Sequence, residues 1–278
     1  MEPAAVRLSD GKVGTAQVQR VGDLVRRAVG PGAPAVHRLL DRLADAGLPV
    51  PRPVTLGPDV EELTFVDGIT PTLPWPAWMA SDELLVSAAR LLRTLHDATA
   101  ALVAELDGPW WAWVGAGEEP AEVIRHGDPW PPNLVVDPDD RTRAVAWIDW
   151  DLAQPGRRID DVAAFAKHWI PLMSDDRARA HGWPVIPDRA HRLDLLADAY
   201  GLTAEQCDDL PGAVARFART TAASHRAWAA AGHPTFQVMV ARGIPDAIEA
   251  DSTWTTTHWD LGTFPCGFRK ETFRDPTG

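Results

Sequence analysis

The sequence predicts an α+β fold of two unequal lobes, a small antiparallel-sheet lobe over residues 1–68 and a larger, mainly helical lobe over residues 69–278. Short segments with alternating apolar residues fill the first lobe, and such alternation is typical of strands that are buried on one side. From residue 81 onwards, apolar residues instead recur at helical spacing over long stretches, which is typical of amphipathic helices. This change of period along the chain predicts the two lobes.

The composition indicates a soluble globular protein whose partners include neither nucleic acid nor membrane. Hydrophobic residues make up 45% and charged residues 24% of the 278 residues, which is close to ordinary globular usage. The formal charge of −12 is unsuited to a phosphate backbone, whereas a cationic small molecule would suit it. No apolar run approaches the roughly 20 residues that cross a bilayer, and no signal-peptide pattern opens the chain, so we expect a cytoplasmic protein. Cys207 and Cys266 lack metal-ligand spacing and are expected to be free thiols.

Within residues 1–68 the expected order of elements is strand, strand, helix, strand. A Val-Gly-Asp turn at 21–23 separates two alternating segments and predicts an antiparallel hairpin. The next stretch, "APAVHRLLDRLADAGLPV", has apolar residues at helical spacing and a stop signal at Gly47. The segment "EELTFVDG" predicts a further strand that ends at Gly68.

The larger lobe begins with a connector rich in proline and tryptophan, followed by a clear helical pattern over residues 81–106 with Ser81 as its N-cap. Residues 107–120 are expected to form a loop or lid. The short apolar runs in 123–137 and 141–151 predict a hairpin with acidic turns. Helical spacing returns after residue 158 in "DDVAAFAKHWI", "DRAHRLDLLADAY" and "AVARFARTTAASHRAWAAA", whereas the final forty residues show no clear pattern.

The stretch "HGDPWPPN", residues 126–133, contains the candidate catalytic residues. Asn133 is the only asparagine in the chain, Asp128 lies five positions before it, and Asp149 follows sixteen positions after it in "WIDWD". A carboxylate that accepts a proton, together with an amide oxygen and a second carboxylate that bind a hard cation, is what phosphoryl transfer from Mg-ATP requires. The prolines between Asp128 and Asn133 would fix the distance between them. The alternative is a polar surface turn, for which Asp, Pro and Asn are the usual residues.

Through these residues the chain resembles the aminoglycoside phosphotransferase and kinase-like superfamily, and within it the actinobacterial phosphotransferases related to trifolitoxin-immunity proteins. The resemblance extends from "VQRVGDLVRRAV" to "DAYGL" and is strongest over residues 126–163. It implies a bilobal protein-kinase-like fold. It also implies an enzyme that uses ATP or GTP with Mg²⁺ to phosphorylate a hydroxyl group.

The resemblance assigns roles to the residues of this region. Asp128 would position or deprotonate the acceptor hydroxyl, and Asn133 and Asp149 would bind Mg²⁺. His126 and Asp161 would support the loop without taking part in the chemistry.

The resemblance also places phosphate-binding residues in the first lobe. Kinases carry a lysine on the third strand, and the matching strand here, "LVRRAV", offers Arg26 and Arg27. Strand alternation puts Arg27 on the same face as Val25, so Arg27 is the better candidate. Where a helix glutamate is expected to pair with the lysine, the chain has His37. The alternative is a solvated arginine pair on an edge strand.

Two further nucleotide contacts are implied by the resemblance. Lys12, in "DGKVGT", lies in the turn that would cover the phosphates, and two glycines there allow a close backbone approach. A plain hairpin turn is an equally good interpretation of that segment. The backbone near Phe65 and Val66 would bind adenine.

The acceptor is expected to be a small molecule. Only eleven residues separate the acids of the "IDW" and "DDVA" segments, which leaves little room for a segment that docks a peptide. The loop also reads His-Gly-Asp, without the arginine of protein kinases. Asp151 could bind an amine of the acceptor and Trp130 could stack on a ring. Glu118 and Glu119 could bind an amine as well, although a solvated loop is the favoured interpretation of these two residues.

Two functions therefore fit the sequence. The first is phosphoryl transfer to a small hydroxylated molecule, either an antibiotic or a metabolite, and the presence of Asp128, Asn133 and Asp149 favours it. The second is a catalytically degenerate, nucleotide- or ligand-binding protein of the immunity type. The missing Lys–Glu pair favours the second.

Overall fold

The first part of the chain forms a five-stranded antiparallel sheet with one helix. The computed structural model describes residues 6–9, 18–113 and 120–260. In the order β1-β2-β3-β5-β4, the strands are β1 (Val6–Ser9), β2 (Val18–Val21), β3 (Leu24–Ala28), β5 (Val60–Thr64) and β4 (Pro53–Leu56), and helix α1 (Ala33–Asp45) lies between β3 and β4. The hairpin, the helix and the last strand confirm the expected order. Lys12, Glu118 and Glu119 lie outside the described residues.

Two strands of this sheet, β1 and β4, were not expected from the sequence. Both are edge strands. An edge strand does not need the alternation of apolar residues that marks a half-buried strand, and β4 begins at a proline, which is tolerated at an edge. After its first residue, β4 is exposed throughout, so its sequence carries no hydrophobic pattern.

The helix expected over residues 81–106 is present as α2 (Asp82–Thr99), followed by a short 3₁₀ helix at Ala100–Ala104. The Ser81 side chain accepts a hydrogen bond of 3.1 Å from the backbone N–H of Leu84, which confirms it as the N-cap. The inner face of α2 carries Leu85, Leu92 and other apolar residues of the main core.

Four short strands position the acidic loops in the middle of the chain. Strand β7 (Leu134–Val136) pairs with β8 (Ala144–Trp147), whereas β6 (Val123–Arg125) pairs with β9 (Gln154–Gly156). The sequence predicted a single hairpin, and the structure corrects this to two nested pairs. In consequence the β6–β7 loop and the β8–β9 loop lie side by side, joined by a 2.8 Å hydrogen bond from the Ile148 N–H to the Asn133 carbonyl.

Helices make up the rest of the described chain: α3 (Arg158–Trp169), α4 (Asp175–Ala180), α5 (Arg189–Tyr200), α6 (Ala204–Ala230), α7 (Pro234–Ala241) and α8 (Ile244–Asp260). Helix α8 and the end of α7 lie in the final forty residues, which showed no clear pattern. Helix α8 buries Asp251, Ser252 and Thr255 towards the other helices, so its inner face is polar and gives no apolar period. In the described ranges no helix is long and apolar enough to span a bilayer.

Candidate active site

The β6–β7 loop, residues 126–133, is held by a buried carboxylate. Asp161, in the first turn of α3, accepts hydrogen bonds from the backbone N–H groups of His126 at 2.7 Å and Gly127 at 3.0 Å. Burial alone would raise the pKa of the Asp161 carboxyl, but the hydrogen bond from His96 holds it below the usual value. The ionised carboxylate therefore fixes the backbone that leads directly into Asp128.

The support for Asp161 extends to two further helices. His96 Nε2 lies 3.1 Å from Asp161 Oδ2, and His96 Nδ1 lies 2.6 Å from the hydroxyl oxygen of Tyr200. Because an ionised carboxylate only accepts, Nε2 carries the proton and Nδ1 accepts from the Tyr200 hydroxyl. Burial raises the pKa of Tyr200, which keeps the hydroxyl protonated as a donor. A hydrogen-bonded chain thus connects α5 through α2 to α3 and the loop.

His126 joins the loop to the neighbouring acidic segment. Its ring Nε2 donates to the carbonyl of Ile148 at 3.0 Å, and its Nδ1 accepts from the backbone N–H of Asp128 at 3.3 Å. Burial lowers the pKa of His126 below its usual value, so the ring is neutral and both nitrogens have the role that these contacts require. The ring therefore fixes Asp128 relative to the residue that precedes Asp149.

Gly127 has a backbone conformation that favours glycine, with φ of +82°. A side chain at this position would also collide with the backbone carbonyl of Leu152 in the β8–β9 loop. The two loops can lie this close together only because residue 127 has no Cβ.

Asp128 and Asn133 are in direct contact across the turn formed by the prolines. The Asn133 amide nitrogen donates to the Asp128 carboxylate at 3.0 Å and to the Asp128 carbonyl at 2.9 Å. Since both partners are acceptors, the orientation of the amide is fixed and its oxygen points away from Asp128. Asp128 is half-buried and Asn133 is buried. The turn therefore presents a carboxylate on one side and an amide oxygen on the other.

Asp149, in the β8–β9 loop, lies in the left-handed backbone region, with φ of 63° and ψ of 59°. Among the residues that the structure describes, it alone combines a positive φ with a side chain. Asp and Asn tolerate this conformation better than other residues with side chains. The turn directs the chain into a short 3₁₀ helix, Trp150–Leu152, which contains Asp151.

Arg27 lies between three carboxylates. Its Nε is 3.0 Å from Glu61, its Nη1 is 3.1 Å from Asp149 and its Nη2 is 2.5 Å from Asp151. The Arg27 side chain is 13% exposed. Burial alone would lower the pKa of Arg27, but the three carboxylates raise it above its usual value, so the guanidinium stays charged. Arg27 thus connects the sheet to the two acids of the β8–β9 loop.

Glu61 connects Arg27 to His37. It is the cross-strand partner of Arg27 in the β3–β5 ladder and is almost completely buried. Its Oε2 lies 2.6 Å from Nε2 of His37 on α1, while its Oε1 accepts from Arg27. His37 therefore contacts the arginine through Glu61. The acid expected on the helix is supplied here by the adjacent strand.

The other residues predicted to bind the nucleotide lie apart from this cluster. Arg26 is on the opposite face of the sheet, 53% exposed, and pairs with Glu62. The backbone N–H of Phe65 donates to the carbonyl of Asp23 at 2.8 Å, so a contact of Phe65 with adenine would use its carbonyl, next to the backbone of Val66. The structure does not test these assignments, and they stay predictions.

The residues predicted to bind the acceptor have defined surroundings. Trp130 lies within the catalytic loop candidate and packs edge-on against Trp75, with 6.1 Å between ring centroids. It also lies 6.3 Å from the ring of His168. Asp151 contacts Arg27 of strand β3 and therefore lies next to the five-stranded sheet. Their proposed roles remain predictions.

Sequence reasoning missed three residues that organise the site, namely Glu61, His96 and Tyr200. A signal existed for the first, because alternation along "VEELT" puts Glu61 on the inner face with Leu63 and opposite Arg27. His96 lies in the last turn of α2 on the buried stripe of that helix, where a polar residue requires a partner. Nothing in the sequence indicated that Tyr200 would be this partner.

Comparison with known proteins bears on the assignment of the chain. The sequence profile of the Phosphotransferase enzyme family matches residues 6–114 and 98–196. The chain belongs to this family. It is also 34% identical over 200 residues to the trifolitoxin immunity protein of Rhizobium leguminosarum bv. trifolii, a match that covers 69% of this chain and 73% of that protein.

Solved structures share the bilobal protein-kinase-like fold. A choline kinase from Cryptosporidium parvum Iowa II superposes with a TM-score of 0.60 at 12% identity, covering 94% of this chain and 91% of the kinase. An aminoglycoside 2″-phosphotransferase in complex with GDP and kanamycin superposes with a TM-score of 0.59 at 16% identity, covering 91% of this chain and 94% of that chain. A macrolide 2′-phosphotransferase from Brachybacterium faecium gives 0.53 at 15% identity, covering 91% of each chain. These neighbours confirm the α+β fold expected from the sequence.

Proposed function

We propose that this phosphotransferase transfers the γ-phosphate of ATP or GTP to a hydroxyl group of a small molecule. The observation that carries the proposal is the juxtaposition of Asp128 and Asn133. The amide nitrogen of Asn133 is used to hold Asp128, so its oxygen and the Asp128 carboxylate face different partners. A base and a metal ligand held at a fixed separation are what phosphoryl transfer to a hydroxyl group needs.

Asp128 orients the acceptor hydroxyl and takes its proton as the phosphoryl group is transferred. The carboxylate is half-buried, and its loop is held at the Asp161 carboxylate and at the His126 ring. Positioning of this kind lowers the barrier by removing the freedom of the two reactants before the reaction.

The residues present fit a magnesium ion bound together with a nucleotide. In nucleotide sites Mg²⁺ takes one or two protein ligands and fills its other positions with phosphate oxygens and water. The Asn133 amide oxygen and the Asp149 carboxylate would be these two ligands. In the described ranges no group of three or more His, Cys, Asp or Glu side chains forms a metal site without a nucleotide. When bound, the ion would neutralise charge on the phosphates.

Arg27 binds the phosphates in the role that lysine has in other kinases. Its guanidinium is charged and lies against Asp149, and Glu61 holds its Nε from the sheet. The planar guanidinium can bind two phosphate oxygens at once, whereas a lysine acts as a point charge. Binding the nucleotide would require the two terminal nitrogens to exchange carboxylate for phosphate oxygens.

Turnover of a small-molecule panel with Mg-ATP and Mg-GTP tests the proposal. The panel includes amino-sugars, nucleosides and amino alcohols, with detection of the phosphorylated product. Asp128→Ala should lower kcat by roughly 10²–10⁴-fold, the usual contribution of a positioned base. Asp139→Ala is the matched control, because Asp139 is an exposed acid in the β7–β8 turn and should have no effect. Full activity of Asp128→Ala would refute the mechanism.

A second function is favoured by one observation, the identity with the trifolitoxin immunity protein. This chain would then bind a nucleotide or toxic ligand without turnover. The two functions differ in the products that they form. A catalytically degenerate binder gains thermal stability from Mg-ATP or from its ligand but releases no phosphorylated product with any acceptor. Product formation that depends on Asp128 excludes this alternative.

A further inference from the structure

Aromatic rings from α6, from α7 and from residues 111–113 pack against one another next to the catalytic loop candidate. Successive contacts join the rings, with centroid separations of 5.2 Å between Trp113 and Trp228, 5.0 Å between Trp228 and Trp111, and 4.7 Å between Trp228 and Phe236. We call Trp111, Trp113, Phe217, His225, Trp228 and Phe236 the aromatic wall.

The aromatic wall is attached directly to the loop that carries Asp128. The indole nitrogen of Trp113 donates to the carbonyl of Gly127 at 3.0 Å, one residue before Asp128. Trp113 also contacts both Phe217 and His225 on α6, at 6.3 and 6.4 Å between ring centroids. The Asp128 carboxylate raises the pKa of His225 against the larger effect of burial, which is consistent with the two groups being neighbours. A molecule held on this wall would therefore lie within reach of the Asp128 carboxylate.

Two buried polar atoms on the face of α6 that carries Phe217 have no hydrogen-bond partner. They are the hydroxyl oxygen of Thr221 and Nδ1 of His225, which lie one helical turn apart on α6. His225 is 8% and Thr221 7% exposed. An unsatisfied buried polar group destabilises the folded protein, and most such groups in proteins have a partner. Two of them side by side next to a catalytic loop indicate a ligand that supplies the missing partners.

The six residues of the aromatic wall include no carboxylate, so apart from Asp128 the wall itself offers no counter-charge for a polycation. Several carboxylates on α6 and on α8, which packs against it, are already paired: Asp209 with Arg216, Asp246 and Glu249 with Arg226, and Asp251 with Lys167 and Arg177. Burial lowers the pKa of His225 to about 4, so its ring is neutral near pH 7 and can donate or accept a hydrogen bond. The chemistry of the wall is therefore that of stacking and neutral hydrogen bonds.

We propose that the α6 face binds the acceptor through an uncharged planar ring, which stacks on the tryptophans and forms hydrogen bonds with Thr221 and His225 while its hydroxyl group reaches Asp128. Acceptors of this class are hydroxylated molecules that carry a flat, neutral, hydrogen-bonding ring, as nucleosides do. The proposal rests on the proposed function for the role of Asp128. It departs from the cationic acceptor that the net charge of the chain suggested.

Binding to the intact protein, measured by titration calorimetry with saturating Mg-ADP, tests the proposal separately from catalysis. The probes are uridine, cytidine and guanosine, with kanamycin as the polycationic comparison. We expect at least one nucleoside to bind saturably and kanamycin not to bind. Thr221→Val and His225→Phe keep the side-chain shape or the ring and remove the polar atoms, and each should weaken nucleoside binding at least tenfold.

Thr220→Val is the matched control. Thr220 precedes Thr221 by one residue and lies about 100° around the helix from it, so the same substitution there should leave nucleoside binding unchanged. Thermal unfolding of each variant checks that it is folded. The inference is overturned if no nucleoside binds, if kanamycin binds instead, or if Thr221→Val and Thr220→Val bind equally well. Binding that depends on Thr221, without formation of a phosphorylated product, would support this site and refute the proposed function.

Discussion

Replacement of Arg27 by methionine should cost the protein much of its stability. The substitution keeps a long unbranched side chain and removes a charge that lies within 3.1 Å of each of three carboxylates. Glu61 is 1% exposed, so after the substitution it stays buried without the guanidinium and keeps only the His37 ring as a partner. Removing one partner of a buried ion pair usually costs about 3–5 kcal/mol. Repulsion between Asp149 and Asp151 adds to this cost, so we expect a loss in the upper part of the range.

Urea unfolding monitored by tryptophan fluorescence measures this loss, because the chain contains 13 tryptophans. For a protein of this size the expected loss corresponds to a drop in Tm of roughly 10 °C. Arg26→Met is the matched control, since Arg26 is the next residue, is half-exposed and pairs with Glu62 at the surface. Surface pairs contribute about 0–1 kcal/mol, so this variant should unfold close to the wild type. Equal stability of Arg27→Met and Arg26→Met would refute the view that Arg27 holds the five-stranded sheet to the β8–β9 loop.

Three further predictions follow from the site. Gly127→Ala should destabilise the protein by at least about 3 kcal/mol, because of its positive φ and the collision with Leu152, whereas Gly212→Ala in helix α6 should be neutral or stabilising in the same unfolding assay. Asp149→Asn should change Tm only slightly, since Asn tolerates the left-handed conformation and Arg27 keeps Glu61 and Asp151 as partners. It should lose the stabilisation by Mg-ATP in a thermal-shift assay, and unchanged stabilisation would remove Asp149 from the metal site. Burial lowers the pKa of His225 to about 4, whereas the pKa in the unfolded chain is near 6.5. Between these two values the unfolded chain binds a proton at His225 and the folded chain does not, so the free energy of unfolding of the wild type falls as pH falls through this window. His225→Phe should show a shallower fall in the free energy of unfolding from pH 7 to 4.5.

The elements that the sequence predicted well are those that bury one apolar face. Helix α2 carries leucines and alanines at helical spacing and a serine cap, and it begins within one residue of the expected position. Helix α8 could not be found in this way, because its buried positions include Asp251 and Thr255, which pair with Lys167 and with the carbonyl of Leu172. A buried polar residue is stabilised by a partner elsewhere in the fold, and a local sequence pattern contains no information on that partner.

The residues of the candidate site also differ in how well the sequence predicts them: those close together in the chain could be identified, and those brought together by the fold could not. Asp128 and Asn133 could be identified because both residues and the prolines between them lie within one short stretch. The surroundings of Arg27 depend on residues up to 124 positions away, since its Nη2 contacts Asp151. Pairing of β3 with β5 brings Glu61 to Arg27, and packing of α1 brings His37 to Glu61. Contacts of this kind follow from the tertiary fold, so the sequence indicated the arginine but not the acid that holds it.

The arrangement around Arg27 also bears on the choice between enzyme and binder. Glu61 holds the guanidinium at Nε, close to the side-chain stem, whereas Asp149 and Asp151 contact the two terminal nitrogens. Because the anchor is separate from the two terminal contacts, the terminal nitrogens can pass from carboxylate to phosphate oxygens while the side chain stays in place. Release of Asp149 would at the same moment free a carboxylate for Mg²⁺. A single arginine would thus couple the arrival of the phosphates to the opening of the metal ligand. Without a nucleotide the ion pairs of Arg27 would contribute to stability alone, so exchange of its terminal nitrogens between carboxylate and phosphate oxygens distinguishes a protein that uses a nucleotide from one that binds another ligand.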